Sequence, residues 1–179
     1  MTPNSISDLT DTTAIITGGA GLIGRVYVGA LLHYGVNVII LDKKIHRTKL
    51  IEILKKENKQ ITITSKNLKL IECDITNQKQ VKQIFKKLKP DLSKLKILIN
   101  NASLVKQVNN TSQLISTYKS FQKMNPSDWE EYISVDITGS LLITQQVIPF
   151  MKKNNGGSIV NISSTYGILS PDQRLYDIF

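Results

Sequence analysis

The chain has 179 residues, 41% hydrophobic and 21% charged, an ordinary composition for one domain with a sizeable core. Its formal net charge of +9 raises nucleic acid as a partner, but the lysines are scattered along predicted helices with few aromatics between them, so solvated helix faces explain them and no nucleic acid is expected. No apolar run approaches the length of a membrane span, and a single cysteine, Cys73, excludes an internal disulfide and argues against a Cys-based metal site.

Residues 1–11 read as a polar, acidic lead-in without a charged-then-apolar leader, so a cytoplasmic location is expected. Thr12 to Thr17 is the first predicted strand. It runs into three spaced glycines, Gly18, Gly21 and Gly24, and an amphipathic helix over Arg25 to Tyr34, which Gly35 stops. A strand, a tight glycine turn and a helix N-terminus together form a cradle for the pyrophosphate of a dinucleotide. Gly18 permits the sharp turn, Gly21 lets the backbone approach the phosphates, and Gly24 lets the helix lie close to the strand. The helix start offers unpaired N–H groups and partial positive charge to the phosphate oxygens.

Val36 to Leu41 is a β-branched second strand of the kind a buried parallel sheet requires. It ends in Asp42, about 20 residues beyond the glycines, where a carboxylate can accept both ribose hydroxyls and repel a 2′-phosphate. NAD is therefore expected over NADP, although Lys43 and Lys44 follow directly and could accommodate a phosphate. Ile45 to Lys59 carries a helical stripe of Leu50, Ile51, Ile53 and Leu54 over a lysine-rich face, and 60–67 is a polar connector. Leu68 to Cys73 is the third strand, with Cys73 as core packing, and Asp74-Ile75 closes it. Thr76 is expected to cap a helix over Asn77 to Leu88, which Pro90 ends. Lys96 to Ile99 is the fourth strand, followed by Asn100-Asn101-Ala102-Ser103.

Residues from Leu104 to Ser127 show little periodicity yet contain Val105, Leu114, Ile115, Tyr118, Phe121 and Met124, which suits a short helix or a lid. Asp128 to Lys153 is one long helix, with Trp129 and Met151 expected in the core. Ser158 to Ile162 is the fifth strand, and Ser163-Ser164-Thr165-Tyr166-Gly167 leaves its end. Alternating strands and helices imply an α/β fold with a doubly wound parallel sheet forming one domain over 1–179. Each motif falls at a strand's carboxyl end, where such sheets bind ligands. His33 and His46 lack metal-ligand spacing, so no metal is expected.

With these residues assembled, the chain resembles a short-chain dehydrogenase/reductase. The match rests on Thr17 to Gly24, Asp42, Asp74-Ile75, Asn100-Asn101-Ala102, and Gly157 to Ser164. The stretch Ser170 to Tyr176 is similar to a subgroup linked to flagellin modification and surface-sugar biosynthesis. The resemblance implies a Rossmann-type sheet of strand order 3-2-1-4-5. It implies that Thr17, Gly18, Gly21, Leu22, Ile23 and Gly24 hold the pyrophosphate, Asp42 the ribose and Asp74-Ile75 the adenine. Asn100, Asn101 and Ala102 would line the nicotinamide side, and Ser164 would hydrogen-bond a small alcohol or carbonyl substrate. In the family a tyrosine is the acid/base and a lysine four residues later lowers its pKa. Pairing of two copies through the 128–153 helix follows by the same analogy.

Three departures stand out. The glycine spacing is that of the family branch containing sugar epimerases. Asp136 occupies the place of an asparagine that helps hold a proton-relay water. No lysine follows Lys153, so Tyr176 has no partner and is not expected to be catalytic. The expectation is therefore a chain ending before the catalytic helix and last strands, with its fifth strand left as a sheet edge, poorly soluble and inactive alone but still able to bind NAD. A dinucleotide-binding module without chemistry and a nucleotide-sugar epimerase remain as alternatives. A Tyr-x-x-x-Lys encoded beyond codon 179 would favour the truncated enzyme.

Overall fold

The structure is a computed structural model and describes residues 9–104, 122, 124–170 and 172. Of the stretch Leu104 to Ser127, expected to form a short helix or a lid, residues 105–121 and 123 lie outside the described residues, as does Tyr176. Five parallel strands form one sheet: β1 (Thr13–Thr17), β2 (Asn37–Asp42), β3 (Leu68–Glu72), β4 (Leu95–Asn100) and β5 (Ser158–Asn161), in the order β3-β2-β1-β4-β5. The expected order 3-2-1-4-5 is the one observed. Between them run α1 (Leu22–His33), α2 (Arg47–Glu57), α3 (Gln78–Leu88) and a long helical segment before β5.

β1 is central and buried along its whole length. Its side chains alternate between the two faces, as a strand's period of two demands. Ile15 joins a cluster with Leu41, Phe85, Leu98, Ile143 and Val147 on the α3 side. Ala14 and Ile16 join Val28, Val38, Ile40 and Leu54 on the side of α1 and α2. Both faces are thus covered, which explains why β1, β2 and β4 read as nearly continuous apolar runs.

The structure amends several element boundaries. α1 begins at Leu22, not Arg25, because the turn closes at once through Gly21 N–H donating to the Gly18 carbonyl (3.1 Å). Gly24 therefore lies inside the first helical turn. α3 is capped by Asn77, whose side chain accepts from Gln80 N at 3.0 Å; Thr76 is engaged elsewhere. The long helix is not continuous. It comprises α4 (Pro126–Ile133), a π turn (Ser134–Gly139) and α5 (Ser140–Lys153).

Burial on this segment also departs from expectation. Met151 is buried with Ile143 and Val147, a stripe at spacing four facing the sheet. Trp129, expected in the core, is 54% exposed. It starts a second stripe at the same spacing, with Ile133, Ile137 (61% exposed) and Leu141 (53% exposed). A 3.6-residue period marks an apolar face without saying which of two faces meets the sheet. β5 is the outer strand and all four of its residues are exposed, in line with the expected edge. No helix among the described residues is long and apolar enough to cross a membrane.

Candidate functional site

A cleft of about 680 Å³ opens at the carboxyl ends of β1 to β4. Its floor is the turn between β1 and α1. Gly18 adopts φ +65°, a left-handed conformation that side chains rarely take, and a Cβ there would lie 2.8 Å from Ala102 Cα. Gly24 is tighter still: an added Cβ would lie 2.2 Å from the Gly18 carbonyl oxygen and 2.7 Å from Gly19 Cα. The helix therefore reaches the turn only with glycine at that position.

The N-terminus of α1 opens into the cleft. Gly21 is its N-cap and supplies no capping side chain, and its first turn contains no acidic residue. Gly21, Leu22, Ile23 and Gly24 all line the cleft, and Leu22 and Ile23 are exposed. Uncapped amides at the positive end of a helix dipole fit a doubly charged pyrophosphate. The observation is a bare backbone cradle that a Cβ would fill, so the residues present fit a dinucleotide.

Thr17 does not reach the cleft, although it was expected among the cofactor ligands. It is fully buried, and its Oγ1 accepts from the amides of Asn101 (3.0 Å) and Ala102 (3.1 Å). Asn101 answers by donating Nδ2 to the carbonyls of Thr17 and Gly18, both at 3.1 Å. These four bonds tie the exit of β4 to the glycine turn. Asn101 and Ala102 line the cleft, followed by Ser103 and Leu104.

Asn100 points elsewhere. It is 4% exposed, and its Nδ2 donates to Asn161 Oδ1 (2.8 Å) and Thr144 Oγ1 (3.2 Å), joining β4 to β5 and α5. Its Oδ1 is buried without a hydrogen-bond partner among the described residues. β4 ends at Asn100, and of the two asparagines Asn101 is the one that lines the cleft. Ser164 also lies away from the cleft lining. It is exposed and caps a short 3-10 turn (Thr165–Gly167), accepting from Tyr166 N at 3.1 Å.

At the far end, Asp42 closes β2 and accepts the Ala20 amide through Oδ2 at 3.0 Å. That bond holds the carboxylate against the glycine turn. Asp74 and Ile75 form the next wall. Asp74 Oδ1 accepts from Thr76 N (3.0 Å) and Thr76 Oγ1 (2.6 Å), which is where the hydroxyl expected to cap α3 is engaged. Asp74 Oδ2 meets Lys43 Nζ at 3.1 Å, so this lysine bridges β2 and β3 across the cleft's edge.

Burial pushes the Asp74 carboxyl up, but the bonds from Thr76 and the Lys43 charge outweigh it and hold the group below its ordinary value of 3.8. A depressed folded-state pKa adds stability that is fully present above the unfolded value and lost as pH falls through the folded one. Asp74→Asn should therefore flatten the acid limb of a plot of thermal midpoint against pH. An acid limb identical to that of the unchanged chain would rule this out. Cys73, beside it, is 2% exposed. Burial first, and the Asp74 charge second, push its thiol up to about 11, so it stays protonated and inert at neutral pH.

Sequence reasoning missed the cleft's third wall. Glu131, Ser134 and Val135 line it from the end of α4 and the π turn. Asp136, noted only as a departure, accepts from Leu104 N (3.1 Å) and Ser103 Oγ (3.3 Å).

Comparison with known proteins bears on this geometry. The profile of the short chain dehydrogenase family matches residues 12–176. A short chain dehydrogenase/reductase of Gibberella zeae is 29% identical over 161 residues, covering 89% of this chain and 53% of that protein. The 15-hydroxyprostaglandin dehydrogenase (NAD(+)) of Rattus norvegicus is 29% identical over 164 residues, covering 90% of this chain and 53% of its own. The chain thus spans about half the length of these curated relatives. A crystal structure of a short chain dehydrogenase from Leptospira borgpetersenii with bound NAD+ superposes with a TM-score of 0.73 at 27% identity, covering 94% of this chain and 57% of that one.

Proposed function

This chain belongs to the short chain dehydrogenase family, and from that premise we propose that it is the cofactor-binding part of an NAD-dependent oxidoreductase acting on an alcohol or carbonyl. One observation carries the reading: the bare helix start, Asp42 and Asp74 share a single cleft at the carboxyl ends of the strands. Amides of α1 would hold the pyrophosphate and Asp42 the adenosine ribose. Asp74 and Ile75 would flank the adenine, and Asn101 and Ala102 would bound the nicotinamide side. When bound, the nicotinamide supplies hydride transfer.

Preference for NAD over NADP follows from charge. Asp42 would face a 2′-phosphate, and Lys43, which follows it in the chain, is engaged by Asp74. Proton transfer is a separate matter. No lysine occurs between Lys153 and Phe179, so the reading for these residues is cofactor binding alone. The resemblance to sugar-linked members rests on 170–176, of which Ser170 and Asp172 alone are described.

Titrating the 179-residue chain with NADH, followed by nucleotide fluorescence, should give saturable binding that is weaker for NADPH. A flat titration would end the oxidoreductase reading. The same reading includes a homo-oligomer through the long helix, supported by the exposed stripe of Trp129, Ile133, Ile137 and Leu141. Sedimentation should detect a dimer that Ile137→Glu disperses; a monomer at every concentration would refute it.

A further inference from the structure

The turn between α5 and β5 reads Asn154-Asn155-Gly156-Gly157 and holds the one Asn-Gly pair in the sequence. Asn155 has φ +58°, a left-handed conformation that asparagine tolerates better than most side chains, and Gly156 follows at φ +95°. Both residues are exposed. A Cβ added at Gly156 would meet nothing within 4 Å, so no neighbouring group crowds the peptide bond between them.

Two sets of hydrogen bonds hold this turn. Along the chain, Gly156 N donates to the Met151 carbonyl at 2.8 Å and Asn155 N to the Lys152 carbonyl at 3.3 Å, which closes the end of α5. Across it, Asn154 Nδ2 donates to the carbonyls of Leu92 (3.1 Å) and Leu95 (3.2 Å), and Lys96 Nζ donates to the Asn154 carbonyl. Asn154 is thus knotted to the start of β4. The Asn155 side chain takes part in neither set.

An asparagine followed by glycine can lose its side-chain amide without an enzyme. The Gly156 nitrogen, after giving its proton to water, attacks Asn155 Cγ. A nitrogen–carbon bond forms, the Cγ–Nδ2 bond breaks, and Nδ2 leaves as ammonia with a proton returned by water. The cyclic imide then takes up a water molecule. Opening at the bond to Cγ gives aspartate. Opening at the bond to the backbone carbonyl carbon gives isoaspartate, in which the main chain runs through Cγ. Glycine assists because no Cβ obstructs the ring closure. Here the attack must wait for the bond to Met151 to open, since that bond holds the proton that has to leave. Helix ends are where such local opening costs least.

We propose that Asn155 is a site of spontaneous deamidation whose rate is set by the hydrogen-bonded end of α5. The proposal is independent of the dinucleotide reading. Isoaspartate lengthens the main chain just before Gly157, where space is tight: a Cβ there would lie 2.7 Å from the Lys96 carbonyl oxygen and 2.8 Å from Met151 Cγ. The longer turn strains either the helix end or the pairing of Ser158 with Ile97, and the outer strand β5 loosens.

Ageing the full 179-residue chain at neutral and mildly alkaline pH, with peptide mapping by mass, tests this. Aspartate and isoaspartate should accumulate at 155 ahead of Asn154, and faster at the higher pH because the attacking nitrogen must lose a proton. The aged chain should melt at a lower temperature than the fresh one. Asn155→Gly keeps a residue suited to the left-handed position and has no amide to lose, so its melting temperature should not change with age. A folded Asn154→Ala chain, lacking both tethers to β4, should deamidate at 155 about fivefold faster, the scale of one hydrogen bond. An aged chain intact at 155, or modified there no sooner than at Asn154, would overturn the proposal. An unchanged rate in Asn154→Ala would overturn control by the helix end, and an Asn155→Gly chain that weakens with age like its parent would overturn the consequence for β5. If Asn154→Ala does not fold, amide hydrogen exchange in the unsubstituted chain decides. Protection at Gly156 far below that of Ile15 in β1 supports opening of the helix end, and equal protection refutes it.

Discussion

Gly24→Val is expected to weaken nucleotide binding by about 100-fold. An added Cβ at this position falls 2.2 Å from the Gly18 carbonyl and 2.7 Å from Gly19 Cα, and both neighbours are backbone. Neither can rotate away as a side chain would, so the turn or the helix must move. Overpacking of this kind costs about 1–3 kcal/mol in general, and the upper end corresponds to about a 100-fold loss of affinity if the strain falls on the binding turn. Gly21→Ala is the control. Its Cβ would meet only the Gly18 carbonyl, at 3.2 Å, a contact that a small adjustment relieves. NADH titration of the two variants, with a thermal melt to separate binding from unfolding, should give a steep order: wild type, then Gly21→Ala, then Gly24→Val. Equal affinities for the two variants would contradict the geometry.

The second large effect concerns cofactor choice. Asp42→Asn should reduce the preference for NADH over NADPH by about 100-fold. The substitution keeps an acceptor for the Ala20 amide, now 3.0 Å from Asp42 Oδ2, and removes only the charge. Two unit charges 4 Å apart interact by about 4 kcal/mol at the effective dielectric of a protein surface, less after screening. About two orders of magnitude in the affinity ratio is therefore the expected scale. The comparison is Kd for NADPH over Kd for NADH, measured at one ionic strength. A ratio unchanged by the substitution would show that Asp42 does not face the ribose.

Much of this was legible in the chain itself, for identifiable reasons. The strands, the glycine turn and the two carboxylates depend on short-range signals (β-branched runs, glycine spacing, an acid at a strand end), whereas the strand order rests on the family resemblance alone. Asn100 and Asn101 mark where such reading stops. They look alike in sequence, but the strand turns one to α5 and β5 and the other to the cleft. Thr76 shows a competition between partners. Its hydroxyl could cap α3 or bond Asp74, and it bonds Asp74 because Asn77 is placed to cap instead. The π turn leaves almost no trace, since one extra residue per turn over Ser134–Gly139 barely disturbs the apolar period. Which face of the long helix is buried depends on the sheet it meets, and Trp129 fell on the other side.

The bonds between Asn101 and the glycine turn have a consequence for the order in which the protein matures. The donor of the Thr17 and Gly18 carbonyl contacts lies 84 and 83 residues downstream of them. While the ribosome has released only the first crossover, the loop can be sketched but not fastened, because its brace has not yet been translated. Closing a loop of that length carries an entropic cost that local contacts cannot offset in advance. The turn proposed to hold a nucleotide is therefore braced late, with the docking of the fourth strand, rather than step by step with the nascent chain.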